Sequence, residues 1–176
     1  DQFAIHVYQD TSATPPSFTH PKSTTIAVAD YGKLVSLLAE AFDGTAQPGS
    51  ALPIVYGEFG VESIVPADKA ALYTGKEPAT VKPVDEQTQG AYYREAIALA
   101  FCQPTVRAIL IFHAIDESDL DRWQSGVYYA DDTPKASLPA LKQAARDARG
   151  GVIASAAPST NSTGQASERM ASTPPP

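Results

Sequence analysis

Residues 53–60 of the chain read PIVYGEFG, and this segment decides the fold that the sequence predicts. Its branched and aromatic residues are typical of a buried strand. Because side chains alternate between the two faces of a strand, we expect Ile54, Tyr56 and Glu58 to share one face. Glu58 then lies at the C-terminal end of the strand, where parallel α/β sheets carry their substrate-binding loops. Glu58 is therefore either a functional carboxylate or a solvated acid at a strand end.

Two glycines flank this acid in the sequence, Gly57 before it and Gly60 shortly after it. A glycine inside a strand allows another group to approach the backbone closely, so Gly57 predicts contact with a helix or a substrate. Gly60 predicts a sharp turn of the chain out of the sheet. Both expectations place Glu58 at an edge where loops begin.

Two more strands are predicted on either side of this segment. Residues 3–8 (FAIHVY) alternate, with His6 and Tyr8 on one face. Residues 105–113 (TVRAILIFH) are nearly continuously apolar up to His113, which is typical of a strand covered on both faces. Helical spacing of apolar residues predicts three helices, with these N-caps: Asp30, Asp85 and Ser137. The strand–helix–strand order predicts parallel pairing.

The composition limits the classes of function. The chain has 176 residues, 43% of them hydrophobic, and a formal net charge of -7, so neither a nucleic acid nor an anionic membrane is an expected partner. No apolar run reaches the roughly 18 residues that a transmembrane helix needs. The single cysteine, Cys102, excludes a disulfide framework and is predicted to pack in the core. The sequence begins with Asp1, almost inside a strand and without a leader pattern, so we expect an N-terminal cut.

The C-terminal part differs in composition from the rest. Residues 151–176 are rich in Ser, Thr, Ala, Gly and Pro without periodicity, and they predict a disordered tail behind a domain of residues 1–150. Asn161-Ser162-Thr163 in this tail has the form of a glycosylation sequon, which matters only in a compartment that uses it.

The segment around Glu58 resembles the seventh strand of the clan A glycoside hydrolases, the cellulase-like (β/α)8 barrels of families 5 and 39. The His6-x-Tyr8 pair resembles their sixth strand. Residues 120–135 (LDRWQSGVYYADDTPK) resemble the segment that precedes their last helix. The resemblance covers residues 1–149 and implies an α/β fold made of the last three β/α units of a TIM (β/α)8 barrel, an incomplete barrel.

In this family the corresponding glutamate is the nucleophile of a retaining hydrolase, so the resemblance implies that Glu58 attacks the sugar of a β-glycan or β-glycoside. The family's acid/base Glu follows an Asn at the end of the fourth strand, and the chain contains no Asn-Glu pair. The resemblance thus implies that the N-terminal half of the barrel is a missing partner and that this fragment alone is inactive. It implies an oligo- or polysaccharide substrate, no cofactor and no metal, and it favours secretion.

The resemblance also implies four substrate-binding side chains: His6, Tyr8, His113 and Trp123. His113 stands where many of these enzymes carry a sugar-stacking Trp, and it offers a hydrogen bond in place of most of that stacking area. Trp123 is either a stacking platform or a core aromatic. The hydroxyl of Tyr8 or Tyr56 either bonds Glu58 or belongs to the barrel filling.

Two other kinds of chemistry involve acids and histidines of this chain. Asp116 and Glu117 could replace the missing acid/base, or they serve as solvated or capping loop residues. The three histidines, His6, His20 and His113, could suggest a metal site, but their spacing matches no local motif. Nucleophile elbows, dinucleotide-binding turns and phosphate loops are absent from the sequence.

A second class of function stays open at this stage. The chain could be a self-contained α/β module that binds a carbohydrate or a protein without catalysis. Three strands alone leave unpaired sheet edges, which favour association with a partner or with a second copy of the chain.

Overall fold

A computed structural model describes residues 1–153 of the chain. Three parallel strands form one sheet in the order β1-β2-β3. The strands are β1 (Phe3–His6), β2 (Ile54–Phe59) and β3 (Val106–Ile111). The helices are α1 (Tyr31–Phe42), α2 (Glu86–Phe101) and α3 (Leu138–Arg149), with short 3-10 helices at Val28–Asp30, Gly49–Ala51 and Ala67–Leu72. Each strand is followed by a helix, and the predicted parallel pairing is confirmed.

Helices α1 and α2 cover one face of this sheet. The apolar side chains that meet there come from all three strands and both helices, and α3 adds Leu138 and Leu141 at the edge. The fully or nearly buried members include Leu34, Leu38, Ile54, Tyr56, Tyr93 and Ala96. Burial of this apolar face is the main source of stability, at about 25 cal/mol per Å² removed from water.

The opposite face of the sheet is open within residues 1–153. Ala4 and His6 of β1 are exposed there, and Leu110 of β3 is 54% exposed. The prediction that residues 105–113 form a strand covered on both faces is therefore wrong for this chain. The apolar run is nevertheless typical of a parallel strand that a second layer covers.

A β-bulge at Gly57 reverses the alternation of β2. Ile5 pairs with Tyr56, but the next residue, His6, pairs with Glu58, so Gly57 is the extra residue. Ile54 and Tyr56 are fully buried against the helices, whereas the Glu58 side chain is 29% exposed and lies on the open face with His6. The prediction that Glu58 shares a face with Ile54 and Tyr56 is wrong, because one inserted residue moves everything after it to the other face.

The helix caps follow the sequence at one site of three. Asp85 accepts a 2.8 Å hydrogen bond from the amide of Thr88, as predicted. Asp30 makes no cap; its carboxylate instead accepts from the amides of His20 and Ala27, at 2.7 and 3.0 Å. Ser137 is buried, and its hydroxyl makes no cap hydrogen bond. The predicted caps at Asp30 and Ser137 are therefore wrong. The carboxylate of Asp30 binds amides of the preceding loop instead. The backbone of Ser137 is already helical, whereas an N-cap residue is typically extended.

The compositional expectations have separate outcomes. Cys102 is exposed, because it follows the last residue of α2 instead of lying on its buried side, and the prediction of core packing is wrong. The predicted tail lies outside the described residues from position 154 onward, as does the sequon. In residues 1–153 no helix is long and apolar enough to cross a membrane.

Candidate functional site

Glu58 receives two side chains from the end of β1. The hydroxyl of Tyr8 donates a 2.9 Å hydrogen bond to Oε2 of Glu58. Nδ1 of His6 lies 3.2 Å from the same oxygen. Both contacts fall on Oε2, so Oε1 has no hydrogen-bond partner within residues 1–153. Tyr56, the other tyrosine considered from the sequence, donates instead to Gln103 at 2.6 Å.

The bulge and the glycine within it create this arrangement. A Cβ atom at position 57 would lie 3.3 Å from Cδ2 of His6, so the imidazole ring rests against the bare backbone of Gly57. The close approach predicted at Gly57 exists, but the approaching group is His6, neither a helix nor a substrate. A larger residue at position 57 would push the ring away from Glu58.

Trp123 extends the site away from the carboxylate. Its ring stacks on Tyr8, with centroids 5.3 Å apart and an interplanar angle of 28°. Its edge meets Phe112 at a centroid distance of 5.7 Å. Trp123 is 37% exposed, so this aromatic group is a partly open surface and not a core residue.

Gly60 holds the ends of β2 and β3 together. The amide of Phe112 donates to the carbonyl of Phe59 at 2.9 Å, and a Cβ atom at position 60 would lie only 2.3 Å from the carbonyl oxygen of Phe112. The amide of His113 in turn donates to the hydroxyl of Ser125 at 3.0 Å. The feature predicted as a turn at Gly60 is thus also a close contact between two backbones.

His113 lies apart from the acid. Its Nδ1 is 3.9 Å from Oε1 of Glu117, and that nitrogen is buried without a hydrogen-bond partner in the described part of the chain. The peptide bond between Phe112 and His113 is cis. Within residues 1–153, the structure joins three of the four predicted binding residues to Glu58, directly or through Tyr8, while His113 makes no hydrogen bond to it.

Asp116 is a buried structural anion. Lys135 lies 2.7 Å from its Oδ2, Tyr73 donates to Oδ2 at 2.7 Å, and the amide of Gly126 donates to Oδ1 at 2.8 Å. Burial raises the pKa of Asp116 and lowers that of Lys135, while the attraction between their charges opposes both shifts. Asp116 is neither solvated nor a cap, and its fully occupied oxygens cannot serve as a replacement acid/base.

A small cavity opens beside the aromatic pair. It has a volume of about 190 Å³, and its lining includes Tyr8, Trp123 and the buried acid Glu62. Glu62 is 5% exposed, and its Oε2 accepts from the amide of Gln124 at 3.3 Å. Burial raises the pKa of Glu62 to about 7, the Gln124 hydrogen bond opposes this, and the nearby Glu77 adds to it. Glu58 does not line the cavity; Tyr8 connects the two.

The three histidines lie beside different acids. His6 pairs with Glu58 and His113 with Glu117, whereas His20 is buried against Asp30 with 2.8 Å between Nδ1 and the carboxylate. No group of three or more His, Cys, Asp or Glu residues able to hold an ion occurs in residues 1–153. Each histidine has a separate carboxylate, so the metal hypothesis gains no support.

Two features were missed from the sequence. Glu62 lies four residues after Glu58, and no periodicity marks an acid in a long loop as buried. Lys135 is the last residue of the segment 120–135, but nothing local indicates that its partner is Asp116. Both depend on contacts between segments far apart in the chain.

Comparison with known proteins finds similarity in structure alone. No protein-family model and no curated protein matches the chain. Among solved structures, a GH2 β-galacturonidase from Eisenbergiella tayi bound to glycerol has a TM-score of 0.54 at 14% identity, covering 82% of this chain and 23% of its own. The same organism's GH2 β-galacturonidase bound to galacturonate gives 0.51 at 16% identity, with the same coverages of 82% and 23%.

An exo-β-agarase structure covers 68% of this chain and 15% of its own, at 17% identity and a TM-score of 0.48. The chain therefore spans less than a quarter of the length of these solved structures. At such identities the likeness concerns the fold: the three β/α units of residues 1–153 are similar to part of structures solved for glycoside hydrolases.

Proposed function

We propose that the chain is the C-terminal part of a retaining, (β/α)8-barrel glycoside hydrolase of the clan A, cellulase-like type, with Glu58 as the nucleophile. The observation that carries this proposal is the state of Glu58. It lies at the C-terminal end of a parallel strand, Tyr8 and His6 contact one of its oxygens, and the other has no hydrogen-bond partner within residues 1–153. An oriented carboxylate with one free oxygen is what attack on an anomeric carbon requires.

The chemistry divides between this chain and the rest of the barrel. Oε1 of Glu58 attacks the anomeric carbon while the leaving oxygen receives a proton, and water later hydrolyses the glycosyl ester. Tyr8 and His6 keep the carboxylate oriented through Oε2. The proton donor is a carboxylic acid placed about 5 to 5.5 Å away, and we assign it to the N-terminal half of the barrel, which these residues do not include.

The open face of the sheet supports this division. Parallel sheets are usually covered on both faces, yet Glu58, His6 and Leu110 lie on a face with no second layer within residues 1–153. In a closed barrel that face points inward and is filled by side chains of the other strands. The missing strands therefore provide both the covering layer and the acid/base.

Hydrolysis of aryl β-glycosides tests the proposal. The chain alone is compared with a protein in which five further β/α units, including an Asn-Glu pair, precede it. We expect turnover only in the completed protein, and Glu58→Gln there should lower the rate by roughly three orders of magnitude or more. The control is Glu40→Gln, at an exposed acid on α1 away from Glu58.

Either of two results would contradict the proposal. Unchanged turnover in Glu58→Gln would exclude this residue as the nucleophile. Turnover by the chain alone, lost on Glu58→Gln, would mean that its partner acid lies within this chain, and the division of chemistry given above would be wrong.

A non-catalytic carbohydrate-binding module is the second candidate. The stacked, partly open pair of Tyr8 and Trp123 favours it, because aromatic faces bind sugar rings without any chemistry. The same assay separates the two: a completed protein that binds glycosides but never cleaves them is a binding module.

A further inference from the structure

The cavity beside Glu58 carries an inference about the substrate. Its walls combine the Tyr8–Trp123 stack with hydroxyl-bearing and carboxyl side chains from the loops after β1 and β2. At about 190 Å³ it is smaller than the roughly 300 Å³ at which pockets for drug-sized ligands begin. The space suits one sugar ring and no larger ligand.

The lining is rich in hydroxyl groups and acids and contains no cationic side chain. Besides Tyr8, the polar members are Gln9, Asp10, Thr11, Ser12, Thr14, Glu62 and Thr80. Hydroxyl and carboxyl groups of this kind form hydrogen bonds with the hydroxyls of a neutral sugar ring. A uronic acid would bring a carboxylate to a wall that contains the ionised Asp10, the partly ionised Glu62 and no cationic side chain.

Glu62 is the member built most firmly into the wall. Its exposed fraction is only 5%. Its own backbone amide donates to the hydroxyl of Ser12 at 3.0 Å, and its Oε2 accepts from the backbone amide of Gln124. Because burial raises its pKa to about 7, the carboxyl group is protonated in a large part of the molecules at neutral pH. In that form it can both donate to and accept from a sugar hydroxyl.

We propose that this cavity is a subsite for one neutral sugar ring, stacked near Tyr8 and Trp123 and hydrogen-bonded to Glu62, and that it rejects uronic acids. The inference rests on the proposed glycosidase function and deepens it, since Tyr8 contacts both the cavity and Glu58. The ligand preference of this cavity would then differ from that of a uronate-specific site, although the fold is similar.

Ligand-observed NMR titration of the whole chain at pH 7 tests the proposal with two matched pairs of probes. These are methyl β-glucoside against methyl β-glucuronide, and methyl β-galactoside against methyl β-galacturonide. We expect a neutral glycoside to bind at least about tenfold more tightly than its uronide. Equal or tighter binding of the uronide would overturn the proposal, as would binding of neither probe.

Three variants identify the groups responsible. Glu62→Met keeps a side chain of similar length but removes its hydrogen bonds. It should weaken the binding of the neutral glycoside by up to about tenfold. Glu62→Gln keeps a donor and an acceptor, so it should bind the neutral probe within about threefold of wild type while binding the uronide more tightly. Asp10→Asn, at a mostly exposed side chain, should improve uronide binding as well.

The control is Glu40→Gln on the exposed side of α1, which should change neither affinity. If Glu62→Met fails to fold, the uronide ratios of Glu62→Gln and Asp10→Asn still decide; ratios equal to wild type in both would overturn the proposal. Binding needs no turnover, so preference for the neutral sugar without any hydrolysis in the completed protein supports the subsite and rejects only the catalytic role of Glu58.

Discussion

The phenol of Tyr8 donates a 2.9 Å hydrogen bond to Glu58, so the segment after β1 orients the acid at the end of β2. Burial, and then the hydrogen bond to Glu58, raise the pKa of Tyr8 well above its ordinary value. The phenol therefore stays protonated and remains a donor throughout the neutral and moderately alkaline range. The orientation of Glu58 depends on a donor that does not titrate under working conditions.

Replacement of Tyr8 by Phe tests this dependence. The change removes one hydrogen bond to a carboxylate, worth about 1.5–3 kcal/mol, and should lower kcat/KM of the completed protein about ten- to hundredfold. Steady-state hydrolysis of an aryl glycoside is the measurement. Tyr92→Phe is the control, because within residues 1–153 its hydroxyl donates to the carbonyl of Ala13 at 3.3 Å and not to Glu58. Equal rates for Tyr8→Phe and wild type would remove Tyr8 from the site.

The buried pair of Asp116 and Lys135 predicts a large stability effect. Asp116→Asn leaves the Lys135 ammonium buried without its counter-charge, which should cost about 3–5 kcal/mol in the free energy of unfolding. Urea denaturation followed by circular dichroism measures this. The double variant with Lys135→Met should lose less than the sum of the single variants, since it removes both buried charges.

The matched control for this pair lies on the surface. Lys69 and Asp131 are 2.9 Å apart but keep 23% and 31% of their side chains exposed, so Lys69→Met should cost less than about 1 kcal/mol. A loss as small as this for Asp116→Asn would contradict the structural role given to Asp116.

Gly60→Ala should separate the ends of β2 and β3. The new Cβ would lie 2.3 Å from the carbonyl oxygen of Phe112, a backbone atom that cannot rotate away. We expect a loss of about 1–3 kcal/mol in the free energy of unfolding, measured by thermal or urea denaturation. Gly32→Ala is the control in the first turn of α1. A Cβ atom there would meet nothing within 4 Å apart from its chain neighbours and the backbone of its own helix, so alanine should stabilise by up to about 1 kcal/mol. If the two variants are equally stable, the close contact at Gly60 is absent in solution.

The buried carboxyl of Glu62 predicts a dependence of stability on pH. Between its ordinary pKa of 4.5 and about 7, Glu62 is ionised in the unfolded chain but protonated in the folded chain. The folded state then binds more protons, so this contribution to stability falls as pH rises through that interval. The ionisable neighbours that share its electrostatic environment are Glu77, Asp116, Lys135, Tyr8 and Tyr93.

Comparison with Glu62→Gln isolates this contribution from its neighbours. The urea midpoint of Glu62→Gln minus that of wild type should be larger at pH 8 than at pH 5. A difference between the two proteins that does not change with pH would show that Glu62 titrates in the folded chain as it does in water.

The sequence predicts the strands, the helices and their parallel order because each has a strong local period. PIVYGEFG contains both the strand and its terminal acid, and His6 and Tyr8 alternate correctly toward the same site. Asp30 shows the limit of such patterns. It stands where an N-cap belongs, but its carboxylate accepts hydrogen bonds from the amides of His20 and Ala27, which the loop before α1 brings close.

The parts of the site that could not be predicted depend on distant contacts. Nothing near Glu62 or Asp116 distinguishes a buried acid from a solvated one, because burial is decided by segments such as residues 124–135 that return from elsewhere in the chain. The local pattern also predicts the wrong face for Glu58. Strict alternation contains no signal for a bulge, and the glycine that allows one also occurs in regular strands.

The bulge at Gly57 also sets a condition for protein design. A designer who grafts this motif onto an idealised barrel, with regular alternation along every strand, would carry over each residue and still aim the carboxylate into the helical layer. The unit to be transplanted is therefore the motif together with the irregular pairing between β1 and β2.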